Sequence, residues 1–218
     1  MLRFENLSKV YIHRGVKTVI ARDVCLDLPE RKSIALLGRN GAGKSSLLRM
    51  IAGTMDPTSG RVVPNGRVSW PVGFAGYFHP DLSGAQNTRF VARVYGVDSD
   101  DLIGYVQDFA ELGRHFNLPF STYSAGMRSR LAFGVSMGID FDTYLVDEVT
   151  SVGDAAFRSK SEKVFQDRML TRSAIVVSHA MDVIRKLCDE AMVLEGGELT
   201  YYSDLEQAIA VHRKNLGH

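Results

Sequence analysis

The segment Gly38-Arg39-Asn40-Gly41-Ala42-Gly43-Lys44-Ser45 meets the pattern G-x-x-x-x-G-K-[ST] at every fixed position, and few short patterns leave a chain so little choice of fold. Before it runs Ser33-Ile34-Ala35-Leu36-Leu37, a short apolar stretch that reads as a buried strand; after it, Leu47, Leu48 and Ile51 recur at helical spacing. A glycine-rich turn that binds nothing is the plain alternative, and the flanking strand and helix are the context that the phosphate reading requires. Each residue type then has a task. The glycines let the backbone curl so that successive N–H groups point inward, and the start of the helix adds the positive end of its dipole. Lys44 neutralises outer phosphates, and the Ser45 hydroxyl is placed to ligate Mg²⁺.

Such a loop needs a second element to hold the metal's water shell and prepare an attacking water. Tyr144-Leu145-Val146-Asp147-Glu148 supplies a strand ending in two carboxylates, at the sheet edge where open α/β sheets bind ligands. Asp147 is expected to hold Mg²⁺ through water, and Glu148, pointing elsewhere, to accept a proton from the lytic water. An Asp-Glu pair after a strand is by itself usually a solvated loop; the phosphate loop about a hundred residues upstream changes its meaning. Ser178-His179 follows the next apolar strand, Ala174 to Val177. If that strand lies beside the Asp147 strand, His179 comes near the γ-phosphate.

The rest of the chain sets these elements in order. Leu2 and Phe4 alternate, as do the residues from Asp23 to Leu28, which reads as antiparallel strand material, with Pro29 to Lys32 turning into the phosphate-loop strand. Gly53 to Gly60 is turn chemistry, and short strands are expected around 61–63 and 68–70. Residues 71 to 84 are too rich in glycine and proline for a strand and read as a functional or hinge loop. From Ala85 to about Gly138 the pattern is helical, with stripes at Phe90, Val91, Val94 and Tyr95, at Leu102, Val106, Phe109 and Leu112, and at Met127, Leu131 and Val135. Apolar strands at 144–146, 174–177 and 191–194 alternate with helical stretches near 155–169 and 180–187, which indicates a parallel sheet covered on both faces. Ser203-Asp204-Leu205-Glu206 reads as a capping box opening a last helix. The expected architecture is α/β: a P-loop NTPase of RecA-like type, with a mostly parallel sheet, an N-terminal antiparallel β subdomain and an inserted α-helical subdomain at approximately 85–138, the whole of 1–218 forming a single domain.

Bulk properties narrow the partners. Lys plus Arg total 26 against 25 for Asp plus Glu, so the net charge of +1 leaves no footprint for nucleic acid. Cys25 and Cys188 are far apart and in no metal-ligand spacing, which suits reduced thiols. No apolar run approaches the roughly 18 residues of a membrane span, and Met1 to Glu5 lacks the apolar core of a signal peptide. If the protein works at a membrane, something else must cross it.

The order of motifs, from phosphate loop through a helical block ending in Tyr123-Ser124-Ala125-Gly126-Met127 to Asp147-Glu148, Ser151-Val152-Gly153-Asp154 and His179, resembles that of ATP-binding cassette ATPases over essentially the whole chain. The resemblance implies that Gly38, Asn40, Gly41, Ala42, Gly43, Lys44, Ser45 and Ser46 bind the phosphates of ATP. It also implies that Ser124 and the Gly126 amide meet the γ-phosphate held by a second copy, that Asp154 is the acidic position of the D-loop, and that Tyr11 stacks on adenine. Ser-Ala-Gly alone is a common helix start, and Tyr11 alone is an ordinary edge-strand aromatic; stacking there would contribute about 1 kcal/mol.

Within that family the chain resembles the ATPase subunits of capsular polysaccharide exporters, through Val68 to Phe74, Phe78 to Gly84, Arg89-Phe90, Tyr95-Gly96-Val97, Tyr123 to Met127 and Val149 to Asp154. Exporters of O-antigen and teichoic acid are similar but often carry an extra carbohydrate-binding domain, and the early end of this chain favours the capsule type. The implied partners are a second copy forming an ATP sandwich and a polytopic permease through which alone the protein meets the membrane, on the cytoplasmic side of the inner membrane, with no nucleic acid. A soluble cassette acting on DNA or the ribosome, or a regulatory module with little turnover, are the competing readings. The chain departs from the family pattern in three places. Gly73 to Gly84 lacks the usual glutamine, with His79 and Gln86 the nearest polar candidates. Tyr123, Ala125 and Met127 replace three signature residues, and Val149 replaces the proline usual after the glutamate.

Overall fold

A computed structural model describes residues 1–147 and 155–217. Five strands whose sequences are largely apolar build the central sheet, joined at one edge by a polar sixth. In chain order the first strands are β1 (Leu2–His13), β2 (Val16–Leu28), β3 (Ser33–Leu37), β4 (Ser59–Pro64) and β5 (Val68–Pro71). The later ones are β6 (Thr143–Asp147), β7 (Ser173–Val177), β8 (Glu190–Glu195) and β9 (Glu198–Tyr202). The larger sheet has the order β5-β6-β7-β3-β8-β9, and β2-β1-β4 form a separate antiparallel sheet. Every residue of β3 and β7 is buried, as a central parallel strand covered on both faces requires. The strand carrying Asp147 does lie beside the strand that precedes His179, in parallel register with Asp147 opposite Val177. The strand β9 escapes a search for apolar runs because it is a half-exposed antiparallel edge; its signal is the Gly196-Gly197 dipeptide, a hairpin turn before it.

The chain divides into two compact units. The first comprises Met1–Pro71, Phe141–Glu148 and Arg168–His218, and so holds both sheets. Its core joins Leu2, Phe4 and Leu7 of β1 to Leu47, Leu48 and Ile51 of helix α1 (Lys44–Ile51) and to Leu145, Ile175 and Met192 of the larger sheet. Helices α6 (Met181–Leu187) and α7 (Leu205–Leu216) complete this unit. The N-cap of α7 is Asp204, one residue later than the expected Ser203: its carboxylate accepts from Glu206 N and Gln207 N, while the Glu206 carboxylate is drawn away to Arg185 at 2.7 Å.

The second unit comprises Val72–Asp140 and Val149–Asp167, and contains the helices α2 (Gly84–Tyr95), α3 (Ser99–Ala110) and α4 (Ala125–Gly138), with two short 3-10 turns at Gly113–Asn117 and Phe120–Thr122. Helix α5 (Ala155–Met169) begins in this unit. The α3 stripe of Leu102, Val106 and Phe109 is buried as its spacing demands, each side chain stabilising the unit by about 1.5–3 kcal/mol. In α2 the expectation holds for Val91 and fails for two others of its stripe. Phe90 and Val94 are 58% and 62% exposed, and the inward face is Asn87, Thr88, Val91 and Ala92. Polar side chains can face inward here because they are bonded: Thr88 donates to Gly84 O at 2.8 Å, and the Asn87 amide donates to the carbonyls of His79, Leu82 and Ser83, each at 3.1 Å. Ser83 and Gln86 form a reciprocal capping box at the start of α2. Replacing Ser83 by Ala is expected to lower stability by about 1 kcal/mol, measured by denaturant unfolding.

Candidate functional site

Strands β3, β6 and β7 run parallel, so the residues at or just past their C-terminal ends, Gly38, Asp147 and Ser178-His179, gather at one edge of the larger sheet. That is the edge at which α/β sheets take ligands. The phosphate loop fits there only because of its glycines. Gly43 has φ +106°, and a Cβ on it would lie 2.4 Å from Cγ2 of Ile20; a Cβ on Gly38 would lie 2.6 Å from the Leu194 carbonyl oxygen. Gly43 is also the N-cap of α1, with no side chain capping that end and no acidic residue in the first turn. With no side chain over the first turn, the helix start faces outward, and its dipole favours an anion there. The Lys44 ammonium reaches back over the loop to Gly38 O at 2.7 Å and Arg39 O at 3.2 Å.

Tyr11, near the end of β1, meets the same loop. Its hydroxyl lies 3.3 Å from Ser46 Oγ and donates to Met55 Sδ at 3.1 Å, and the Lys9 ammonium sits 5.2 Å from the centre of its ring. Lys9 is fixed in turn by donating to Asp56 O at 2.7 Å. Lys9 and Met55 carry no motif; only the fold brings them to Tyr11. Thus Gly38, Asn40, Gly41, Ala42, Gly43, Lys44, Ser45, Ser46 and Tyr11 are assembled in one place, with Asp147 and His179 on neighbouring strand ends of the same unit.

Ser124 and Gly126 belong to the second unit. Ser124 caps α4, its hydroxyl accepting from Met127 N, and Gly126 lies in the first turn with open space where a Cβ would point. Arg128 braces this helix start, donating to Tyr123 O and Ser121 O, both at 3.1 Å, across the Phe120 ring. Tyr123 is buried, which pushes its phenol up from the usual tyrosine range, and its hydroxyl donates to His115 O at 2.7 Å. Glu148 and Asp154 lie outside the described residues. Gln86 is engaged in its capping box, and the Nδ1 of His79 accepts from Asp81 N at 3.3 Å, so both candidates for the absent loop glutamine have structural partners in α2 and its approach.

These features suit a nucleoside triphosphate: an uncapped helix start, a loop closed to side chains and a lysine held over it. They also suit Mg²⁺. Among the described residues no group of three or more His, Cys, Asp or Glu could hold a metal alone, and Ser45 with Asp147 is the sparse protein set that Mg²⁺ takes when phosphates and water complete its shell.

Residues 21–151 match the family model described as ABC transporter. The chain belongs to the ABC transporter family. Among its ABC transporter relatives, the polysialic acid transport ATP-binding protein KpsT of Escherichia coli is 44% identical over 96% of this chain and 95% of its own length. The capsule polysaccharide export ATP-binding protein CtrD of Neisseria meningitidis serogroup B is 39% identical over 95% of this chain and 96% of its own. A solved ABC cassette, MJ0796, described as dimeric in a post-hydrolysis state with ADP and Pi, superposes with a TM-score of 0.76 over 92% of this chain and 98% of that one, at 19% identity. That last likeness establishes the ABC cassette fold: a parallel-rich sheet with an antiparallel β subdomain and helices.

Proposed function

We propose that this chain is the ATP-hydrolysing, nucleotide-binding subunit of an ABC transporter that exports a polysaccharide, capsular in class, across the cytoplasmic membrane. The observation that carries this reading is likeness along nearly the full chain, at 39% and 44% identity, to relatives named for capsule and polysialic acid transport. Two copies sandwich two ATP head to tail. In each site Lys44 and the loop amides hold the phosphates of one chain's nucleotide, and Ser124 with the Gly126 amide of the other chain closes over the γ-phosphate. Ser45 and Asp147 would hold Mg²⁺, which when bound neutralises charge on the phosphate oxygens. Glu148 takes a proton from the attacking water, His179 positions the γ-phosphate, and Asp154 is the acidic position of the D-loop. Tyr11 stacks on the base. Closure excludes water, so the rate comes mostly from positioning and fixed charge.

No helix among the described residues is long and apolar enough to cross a membrane, and the work is delivered to a polytopic permease. The surface that supports this contact lies in the second unit, where Phe74 and Tyr77 pack edge to face at 4.9 Å while 49% and 47% exposed, beside a sequence whose next helix exposes Phe90 and Val94. The segment from Phe78 to Gly84 is tied to the helical unit: Phe78 is buried against Phe120 at 5.4 Å, and Asn87 bonds three of its carbonyls. It therefore transmits displacement as part of the helical unit.

The direct test is affinity purification of the tagged protein from membranes with MgATP. A polytopic partner should accompany it, and recovery only as a lone soluble chain would count against a transporter role. ATPase turnover per subunit should rise with protein concentration, because a site completed by a second copy is absent from the monomer. A rate per subunit that is flat across the dimerisation range would remove the sandwich.

A further inference from the structure

Helix α7 packs on β3, β8 and β9, and its buried side includes His212, only 7% exposed. The Nδ1 of His212 and the Oε2 of Glu195, the last residue of β8, are both buried without a hydrogen-bond partner. Buried polar atoms are nearly always bonded, so two orphans in one neighbourhood call for an explanation. Their neighbourhood is the back of the phosphate loop: Glu195 follows Leu194, the residue whose carbonyl Gly38 packs against so tightly that no Cβ fits. The charge of the loop's own lysine also acts on His212. Burial first, and then the Lys44 ammonium, hold the His212 imidazole below the usual histidine range, while the Glu195 carboxylate acts in the opposite direction. The other ionisable groups on the strands packed against α7 are Glu190, which Tyr201 and Lys32 engage, Tyr202, and Glu198, exposed and opposite Glu195 across the β8–β9 hairpin, while Arg185 of α6 is paired with Glu206 of α7 itself. The strand β3 has none.

We propose that Glu195 and His212 form a buried layer behind the phosphate loop that couples nucleotide binding to the uptake of one proton by His212. The inference rests on the triphosphate reading of that loop and adds a linkage to it. In the free protein Lys44 repels an imidazolium, so His212 stays neutral. A bound triphosphate neutralises Lys44; the repulsion falls away, the attraction of Glu195 remains, and the imidazole takes a proton from solvent. The sign follows by reciprocity: a group whose proton affinity rises on binding makes the ligand bind more tightly as pH falls through the interval between its free and bound titration points.

The test is calorimetric titration of the wild-type protein with ATP in excess Mg²⁺, in two buffers of different ionisation enthalpy. Net proton uptake is expected near neutral pH, with affinity rising about 5-fold between pH 8 and pH 6. His212→Gln should lose both the uptake and the pH slope, and Glu195→Gln should reduce the uptake while tightening binding at pH 8, where one negative charge has gone from behind the phosphates. As a check that needs no folded variant to survive, the His212 C2–H resonance of the wild-type protein should titrate at higher pH with MgATP than without it. Uptake that persists in His212→Gln, or a resonance that titrates at the same pH in both states, overturns the coupling and leaves the nucleotide site standing. A wild-type protein that binds no MgATP removes the nucleotide reading itself, and this linkage with it.

Discussion

Glu148→Gln is expected to slow ATP hydrolysis by about 10²- to 10⁴-fold while nucleotide affinity stays within a factor of a few. The amide keeps the size and most of the hydrogen bonding of the carboxylate and removes only its capacity to accept a proton. The position makes the substitution informative. Asp147, the residue before it in the sequence, ends β6 in register with Val177, two residues before His179, at the sheet edge where Gly38 begins the phosphate loop. Phosphate release measured in a single turnover reports the chemical step, and equilibrium binding of a fluorescent ATP analogue reports affinity. A slow variant that retains MgATP should also accumulate as a dimer, since the γ-phosphate that bridges the two copies is not removed. Full activity in Glu148→Gln would transfer the base role to another group, with His179 the first to examine by His179→Ala.

What the sequence reveals of this molecule follows from how far apart the interacting residues lie. The strands β3, β6, β7 and β8 are legible because burial on both faces demands apolar side chains at successive positions, a constraint visible within five residues. The phosphate loop is legible for a related reason: each of its requirements is set by local backbone geometry. The inward face of α2 is not, because Asn87 and Thr88 are polar: Asn87 is buried against carbonyl acceptors in the preceding loop that periodicity cannot see, and Thr88 bonds the Gly84 carbonyl one turn back in its own helix. The α7 cap moved from Ser203 to Asp204 because Glu206, the partner a Ser203 capping box needs, is taken by Arg185 from another helix. Tyr11 is suggested as a base-stacking residue only by family resemblance, and its contacts with Ser46 and Met55 depend on pairing across 35 and 44 residues of chain. His212 has no motif at all; only the packing of α7 on β3 and β8 brings it behind the phosphate loop.

Gly43→Ala should reduce ATP affinity by at least about 100-fold, for two physically separate reasons. The first is conformational. At φ +106° Gly43 lies in a region that an L side chain rarely enters, and left-handed backbone costs an alanine about 1–2 kcal/mol relative to glycine. The second is steric: the new Cβ would sit 2.4 Å from Ile20 Cγ2 and 3.0 Å from its Cδ1, in the antiparallel strand β2, so either that side chain or the loop must shift. A shift of the loop turns the amides that face the phosphates, and because Gly43 is also the N-cap of α1 it tilts the helix start with them. The two costs are separable in a cycle. Truncating the obstacle in Gly43→Ala/Ile20→Ala should restore the steric share of the affinity and none of the conformational share, so the double variant should bind about 10-fold more weakly than Ile20→Ala alone, which is the factor that about 1.4 kcal/mol gives. Full restoration would mean that the contact with Ile20 was the whole effect. Unchanged ATP affinity in Gly43→Ala, measured at equal melting temperature, would mean that the curled loop is not the conformation that holds the nucleotide.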